Sequence, residues 1–314
     1  MDASLDKAYK SLLTHLFHKV GEKCSQKVTD TVFRRMNAIR GQDHSFMVLE
    51  RSIREYFYEQ SWIEEYRQRF EAIVHLCCMC APMWFYTPLG LKQENLITIY
   101  IIYTFLADDE EPNVSDYTPL FCPGTTAIPF IASFGLHLEK MKESFSDEES
   151  WYLLRGLIDY VRMTRLEFAL QGRISTLSKA SKRFPWHWKQ QATSASPYVA
   201  LILRPCSNLI VQKQLEVELE RYMSFVNDIC SWYKERVIHT ETTYEEMHSF
   251  IFSKSTQESF QHLLDETVIS VDRCQKICLD EETLEIINFF FVGYLYWHLT
   301  VDRYKLSVFI DVSP

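Results

Sequence analysis

Glycine is scarce: 8 residues in a chain of 314, against a usual share of about 7%. Dinucleotide-binding folds and P-loop NTPases need glycines where backbone must approach phosphate, and neither G-x-G-x-x-G nor G-x-x-x-x-G-K-[ST] occurs. Basic residues are also in deficit. Lys and Arg number 33 against 42 Asp and Glu, a net charge of 33 − 42 = −9. This argues against non-specific nucleic-acid binding, which rests on neutralising phosphates. An acidic protein can still hold an anion if metal ions bridge the two. No apolar stretch suits a bilayer: the longest run, near Leu96–Ala107, is too short, and the run from Ile286 to Val301 carries Asn288 and His298. Charges interrupt the N-terminus (Met1-Asp-Ala-Ser-Leu-Asp-Lys) before a signal-peptide core can form, so a cytoplasmic protein without a membrane span is expected. Sustained two-residue alternation, linkers, internal repeats and low-complexity segments are missing too. The nine cysteines (24, 77, 78, 80, 122, 206, 230, 274 and 278) are odd in number and sit mostly in apolar stretches. Reduced, buried thiols are expected, and no second ligand pair completes a zinc site around Cys274 and Cys278.

What the chain does have is helical periodicity. Leu5, Tyr9, Leu12, Leu13 and Leu16 recur at three- and four-residue spacing, as do Phe225, Ile229, Trp232 and Tyr233. Prolines fall between apolar runs. Ten or more helices are predicted, the longest over 62–82, 92–108, 147–172, 208–236 and 281–303. Together they make one all-α domain spanning residues 1–314. Segments 110–124, 173–184 and 236–246 are polar and irregular, as surface connections or closing loops would be.

Two polar clusters end apolar helices. Phe105-Leu-Ala-Asp108-Asp109-Glu110-Glu111-Pro112 puts four acids at a helix C-terminus, where the helix dipole is already negative. Either solvent or a hard divalent cation must compensate. The second cluster is Val226-Asn227-Asp228-Ile229-Cys230-Ser231-Trp232-Tyr233-Lys234-Glu235. Asn227, Ser231 and Glu235, at i, i+4 and i+8, stay within about 80° of one helix face. An amide oxygen, a hydroxyl and a carboxylate are hard ligands suited to Mg²⁺, while Lys234 offers a point charge to a phosphate.

N-D-x-x-S-x-x-x-E with Lys before the Glu resembles the magnesium motif of class I terpene synthases. It begins 227 − 108 = 119 residues after Asp108, in the aspartate-rich cluster. Asp302-Arg303-Tyr304 is similar to that family's terminal Arg-Tyr pair. The run from Gly293 to Ser307 is similar to the last core helix of fungal trichodiene-synthase-type sesquiterpene cyclases. The resemblance implies an all-α bundle around a central apolar cavity. It implies three Mg²⁺ ions held by Asp108, Asn227, Ser231 and Glu235, with Glu111 as a substitute contact. Diphosphate contacts would come from Lys189, Lys234, Arg303 and Tyr304, with Asp109 orienting Arg303. Lys189 takes the place of an expected arginine, with Arg183 the second choice. The implied substrate is farnesyl diphosphate and the implied product a C15 hydrocarbon, reached by humulene-type or bisabolyl-derived closure. The resemblance also admits a homodimer. Trp84, Phe85, Ile101, Phe105, Phe168, Met223, Tyr294 and Trp297 are the candidates for the cavity wall, each of them also readable as ordinary core. Two rivals remain at this stage: a prenyl chain-elongating synthase, which would carry a second aspartate-rich motif, and a catalytically silent helical interaction protein. A metal-dependent HD-type phosphohydrolase is disfavoured, because no His-Asp dipeptide occurs.

Overall fold

The computed structural model describes residues 3–108, 117, 120, 128–193, 195–239 and 241–310. Among them helices are connected only by turns and short irregular segments, without a strand. The order is α1 (Ala3–Lys23), α2 (Gln26–Arg40), α3 (His44–Tyr58), α4 (Ile63–Cys78), α5 (Cys80–Trp84), α6 (Leu91–Asp108), α7 (Pro129–Lys142), α8 (Asp147–Leu170), α9 (Phe184–Ala192), α10 (Ala195–Ile202), α11 (Leu209–Tyr233), α12 (Tyr244–Phe252), α13 (Thr256–Ile277) and α14 (Glu281–Thr300). No helix among the described residues is long and apolar enough to cross a membrane.

Local chemistry explains where the helices begin. Ser255 and Glu258 form a reciprocal capping box at the start of α13. The Asn208 side chain accepts from the backbone N–H groups of Ile210 and Val211 at the start of α11, and Asp280 accepts from Thr283 at the start of α14. Helix α2 buries Val28, Val32, Met36 and Ile39, one stripe at helical spacing. Helix α14 is apolar nearly all round and is buried from Ile286 to Leu295, as a central helix must be.

Around α14 pack α2, α5 and α11, while α13 lies along α11 and α1. Buried polar tips tie the layers: Tyr222 Oη donates to Phe291 O at 2.6 Å, and Tyr9 Oη to Ile229 O at 2.8 Å. Trp297 Nε1 donates to Leu76 O at 2.9 Å. The expected helix over 62–82 is broken at Met79 into α4 and α5. Arg35 on α2 then holds the end of α5 by donating to Pro82 O, Phe85 O and Tyr86 O at 2.9, 2.6 and 2.6 Å. These bonds satisfy carbonyls left open at a helix C-terminus. Gly293 allows α14 to lie directly against α5: a Cβ there would stand 1.8 Å from Met83 O. Of the expected cysteines, those described are all free thiols, and Cys122 lies outside the described residues.

Candidate active site

Helices α5, α6, α8, α9, α10, α11 and α14 surround a cavity of about 410 Å³. Six of the eight expected wall residues line it: Trp84, Phe105, Phe168, Met223, Tyr294 and Trp297. Phe85 does not. Helix α5 ends at Trp84 and Phe85 is extended (φ −103°, ψ 118°), so neighbouring side chains diverge. Phe85 lines a second, separate hollow with Tyr86, Leu201 and Ile202. Ile101 is also absent from the wall and is fully buried in the core. The cavity ends one turn closer to Asp108, where Tyr198 hydrogen-bonds Thr104 at 3.2 Å.

Charged and polar groups gather on the same cavity: Lys189, Asn227, Lys234, Glu235, Arg303 and Tyr304 all line it. They come from α9, α11, the turn after α11 and the segment after α14. Arg183 is exposed at the start of α9. Helix α6 ends at Asp108, whose side chain, like residues Asp109, Glu110, Glu111 and Pro112, lies outside the described residues.

Lys189 is almost wholly buried. Its Nζ stands 2.9 Å from Asp228 Oδ1 and donates to Asn227 Oδ1 at 3.3 Å. Burial disfavours the ammonium, but Asp228 and Glu235 outweigh it and raise the lysine above its ordinary range. Asp228 also accepts from the Tyr244 backbone N–H at 3.3 Å, joining α11 to α12.

The motif helix departs from the regular geometry assumed for i, i+4 and i+8. At Lys234 the α-helix passes into a π-helical turn, Lys234–His239, so Glu235 lies beyond the α-helical register. Such turns are frequent at functional sites. Asn227 and Glu235 reach the cavity wall, whereas Ser231 sits behind it, 1% exposed, its Oγ without a hydrogen-bond partner among the described residues. Among these residues no group of three or more His, Cys, Asp or Glu side chains forms a metal site. An amide, an orphaned hydroxyl and a carboxylate on consecutive turns nonetheless fit a hard cation, which needs oxygen donors rather than acids alone.

Arg303 lies over the Phe105 ring, 5.4 Å from its centroid. The Tyr304 ring packs on His298 and Trp297 at 4.6 and 5.7 Å. Burial pushes the Tyr304 phenol well above its ordinary range, so it stays a hydrogen-bond donor at neutral pH.

Sequence reasoning missed one wall. Tyr160, Thr164, Glu167 and Phe168 line the cavity from α8, and Gln171 does so from the turn that follows it. Their spacing of three and four residues was a usable signal, but only Phe168 was drawn from it. Asp228 was visible inside the motif without a role, and nothing local marked Thr104 or Tyr198.

No family model matches the chain. Curated relatives include monoterpene synthase 25 of Postia placenta, 22% identical over 219 residues, 67% of this chain and 65% of that protein. Terpene synthase BipA of Cochliobolus sativus is 23% identical over 259 residues, 79% of this chain and 78% of that protein. Among solved structures, the linalool/nerolidol synthase of Streptomyces clavuligerus superposes with a TM-score of 0.62 at 13% identity, covering 81% of this chain and 96% of that one. Its complex with 2-fluorogeranyl diphosphate gives the same score at 15% identity, over 81% and 98% of the two chains. The chain therefore has the all-helical fold of the linalool/nerolidol synthase, and it is similar over most of its length to proteins named terpene synthases.

Proposed function

We propose that the protein is a magnesium-dependent cyclase that ionises a prenyl diphosphate, with farnesyl diphosphate as the substrate, and closes the resulting cation to a C15 product by a humulene-type or bisabolyl-type route. The observation that carries this is the two-sided cavity. Lys189, Lys234, Arg303 and Tyr304 share it with Asn227 and Glu235, and aromatic rings form the rest of its wall. A charged leaving group and an apolar chain need those two environments side by side.

Asn227, Ser231 and Glu235, with Asp108, would hold the metal. Magnesium bound there supplies Lewis-acid neutralisation of the departing diphosphate. Lys234 and Arg303 place fixed positive charge at the leaving group, and Tyr304 donates a hydrogen bond to it. Asp109 orients Arg303 in this scheme. The faces of Trp84, Tyr294 and Trp297 stabilise the migrating cation by about 0.5–2 kcal/mol each. The neighbours' names cover a monoterpene synthase and a linalool/nerolidol synthase, so geranyl diphosphate belongs in the assay beside farnesyl diphosphate. The proposal extends to a cytoplasmic homodimer, which sedimentation and fractionation would check.

The test is incubation of purified protein with farnesyl diphosphate, with and without Mg²⁺, followed by gas chromatography–mass spectrometry and a diphosphate-release assay. A Mg²⁺-dependent cyclic C15 product supports the proposal. A longer prenyl diphosphate formed only with added isopentenyl diphosphate would favour chain elongation. Failure to release diphosphate from C10, C15 and C20 substrates would leave a helical interaction protein.

A further inference from the structure

One stretch of the cavity wall is built for something other than hydrocarbon. Where α6, α8 and α10 meet, Thr104, Tyr160, Thr164 and Tyr198 line the cavity together. Their protons can be traced. Thr104 Oγ1 donates to Ile101 O at 2.8 Å, so in its 3.2 Å contact with Tyr198 Oη the tyrosine is the donor. Tyr160 Oη donates to Thr104 O at 3.2 Å, fixing the same turn of α6. With its single proton committed to Thr104, Tyr198 can offer the cavity only lone pairs. It accepts hydrogen bonds there and donates none.

Beside it is the complementary group. Trp84 packs edge-on against Tyr198 with ring centroids 5.6 Å apart. Trp84 is 3% exposed, and its Nε1–H has no partner among the described residues. An orphaned indole N–H is costly in an apolar wall. An acceptor-only phenol next to an unpaired donor is the arrangement that a buried water satisfies, and such waters typically make about three hydrogen bonds.

We infer that Tyr198 and Trp84 hold one water molecule that captures the carbocation, so that the product is a terpene alcohol instead of the hydrocarbon expected from the sequence. This inference rests on the proposed ionisation reaction. One water proton points to Tyr198 Oη and one water lone pair takes the Trp84 N–H, leaving a second lone pair for the cation. That pair forms the new C–O bond to the cationic carbon. The proton released from the oxonium passes to the diphosphate set free at ionisation, the strongest base the reaction produces. Prenyl diphosphate and water thus become alcohol and hydrogen diphosphate, with no redox change. Thr104 is a positioning residue, because it acts only by taking the Tyr198 proton.

The experiment is turnover of farnesyl and geranyl diphosphates in H₂¹⁸O, with products identified by mass spectrometry and diphosphate release measured in parallel. The expected result is an alcohol two mass units heavier than in ordinary water. In Tyr198→Phe the alcohol share of total product falls at least about fivefold in favour of hydrocarbon, the scale of one lost hydrogen bond. Trp84→Phe shifts the ratio the same way, and gives an independent reading if Tyr198→Phe fails to fold. Hydrocarbon as the only product, with diphosphate released, overturns water capture and leaves the cyclase reading intact. Alcohol that keeps the substrate's own oxygen overturns it as well, since the P–O bond would then have broken. An unchanged alcohol share in both variants overturns the assignment to Tyr198 and Trp84. No diphosphate release at all removes the cyclase reading beneath it.

Discussion

The Lys189 ammonium lies 2.9 Å from the Asp228 carboxylate, and both side chains are buried, at 7% and 0% exposure. Because Lys189 also donates to Asn227 Oδ1 at 3.3 Å, one ammonium engages both the acid and the amide of the Asn227-Asp228 pair. Removing it strands a buried charge. Lys189→Met is therefore expected to cost about 3–5 kcal/mol, measured by denaturant unfolding, with Lys189→Met/Asp228→Asn recovering much of the loss. Equal stability of the single and double variants would show that the pair is not coupled.

Asn227 and Glu235 line the cavity while the Ser231 hydroxyl has no partner among the described residues. Asn227→Ala with Glu235→Gln should cut Mg²⁺-dependent diphosphate release by about 10²–10³-fold. Titration calorimetry with Mg²⁺ and inorganic diphosphate should lose its heat in the same variant. Chelation of metal from the parent protein should abolish turnover reversibly. Undiminished heat in the variant would place the metal elsewhere.

Gly293 leaves no room for a side chain, since a Cβ would meet Met83 O at 1.8 Å. The clash is with backbone, which cannot rotate away. Gly293→Ala should destabilise by about 1–3 kcal/mol or more and push α5 outward, carrying Trp84 with it. The check is a paired measurement of melting temperature and product ratio. A variant that matches the parent in both would mean that α5 is free to shift.

Burial holds His298 neutral, its pKa pushed down to about 3, and burial likewise lowers His137 to about 4. Unfolded, each titrates near about 6.5. Between those values the unfolded chain binds protons that the native protein does not, so stability falls as pH drops below about 6.5. The loss levels off only beneath the folded pKa values. The limiting slope is about 1.4 kcal/mol per pH unit for each histidine. Melting temperatures from pH 7.5 down to 5.0 should decline, and His298→Leu should flatten the decline. A flat profile in the parent would mean that the imidazoles reach solvent.

Much of the polar lining of the candidate cavity was legible because it is local: Asn227, Lys234, Glu235, Arg303 and Tyr304 lie in or just after the last turns of apolar helices, where a polar group is seen against its neighbours. Phe85 misled because a residue adjacent to Trp84 shares its composition signal but not its direction once the helix has ended. The spacing of Ser231 is that of a ligand, but no sequence pattern shows that its hydroxyl lies behind the cavity wall or that a π-helical turn beginning at Lys234 alters the register leading to Glu235.

Sequence alone determined the helical class, the apolar stripes and the order of the polar clusters. Each of these depends on residues within a turn or two of one another, and their energetics are those of a single helix. Only the tertiary structure decided which clusters face one cavity, that Lys189 rather than Arg183 reaches it, and that α8 contributes a polar ladder. It alone brought Tyr198 to Thr104 across 94 positions of sequence and Trp84 to Tyr198. Those relationships follow from how whole helices pack. A close backbone approach at Gly293, a broken helix at Met79 and a π-helical turn at Lys234 each redirect side chains by more than any local pattern can record.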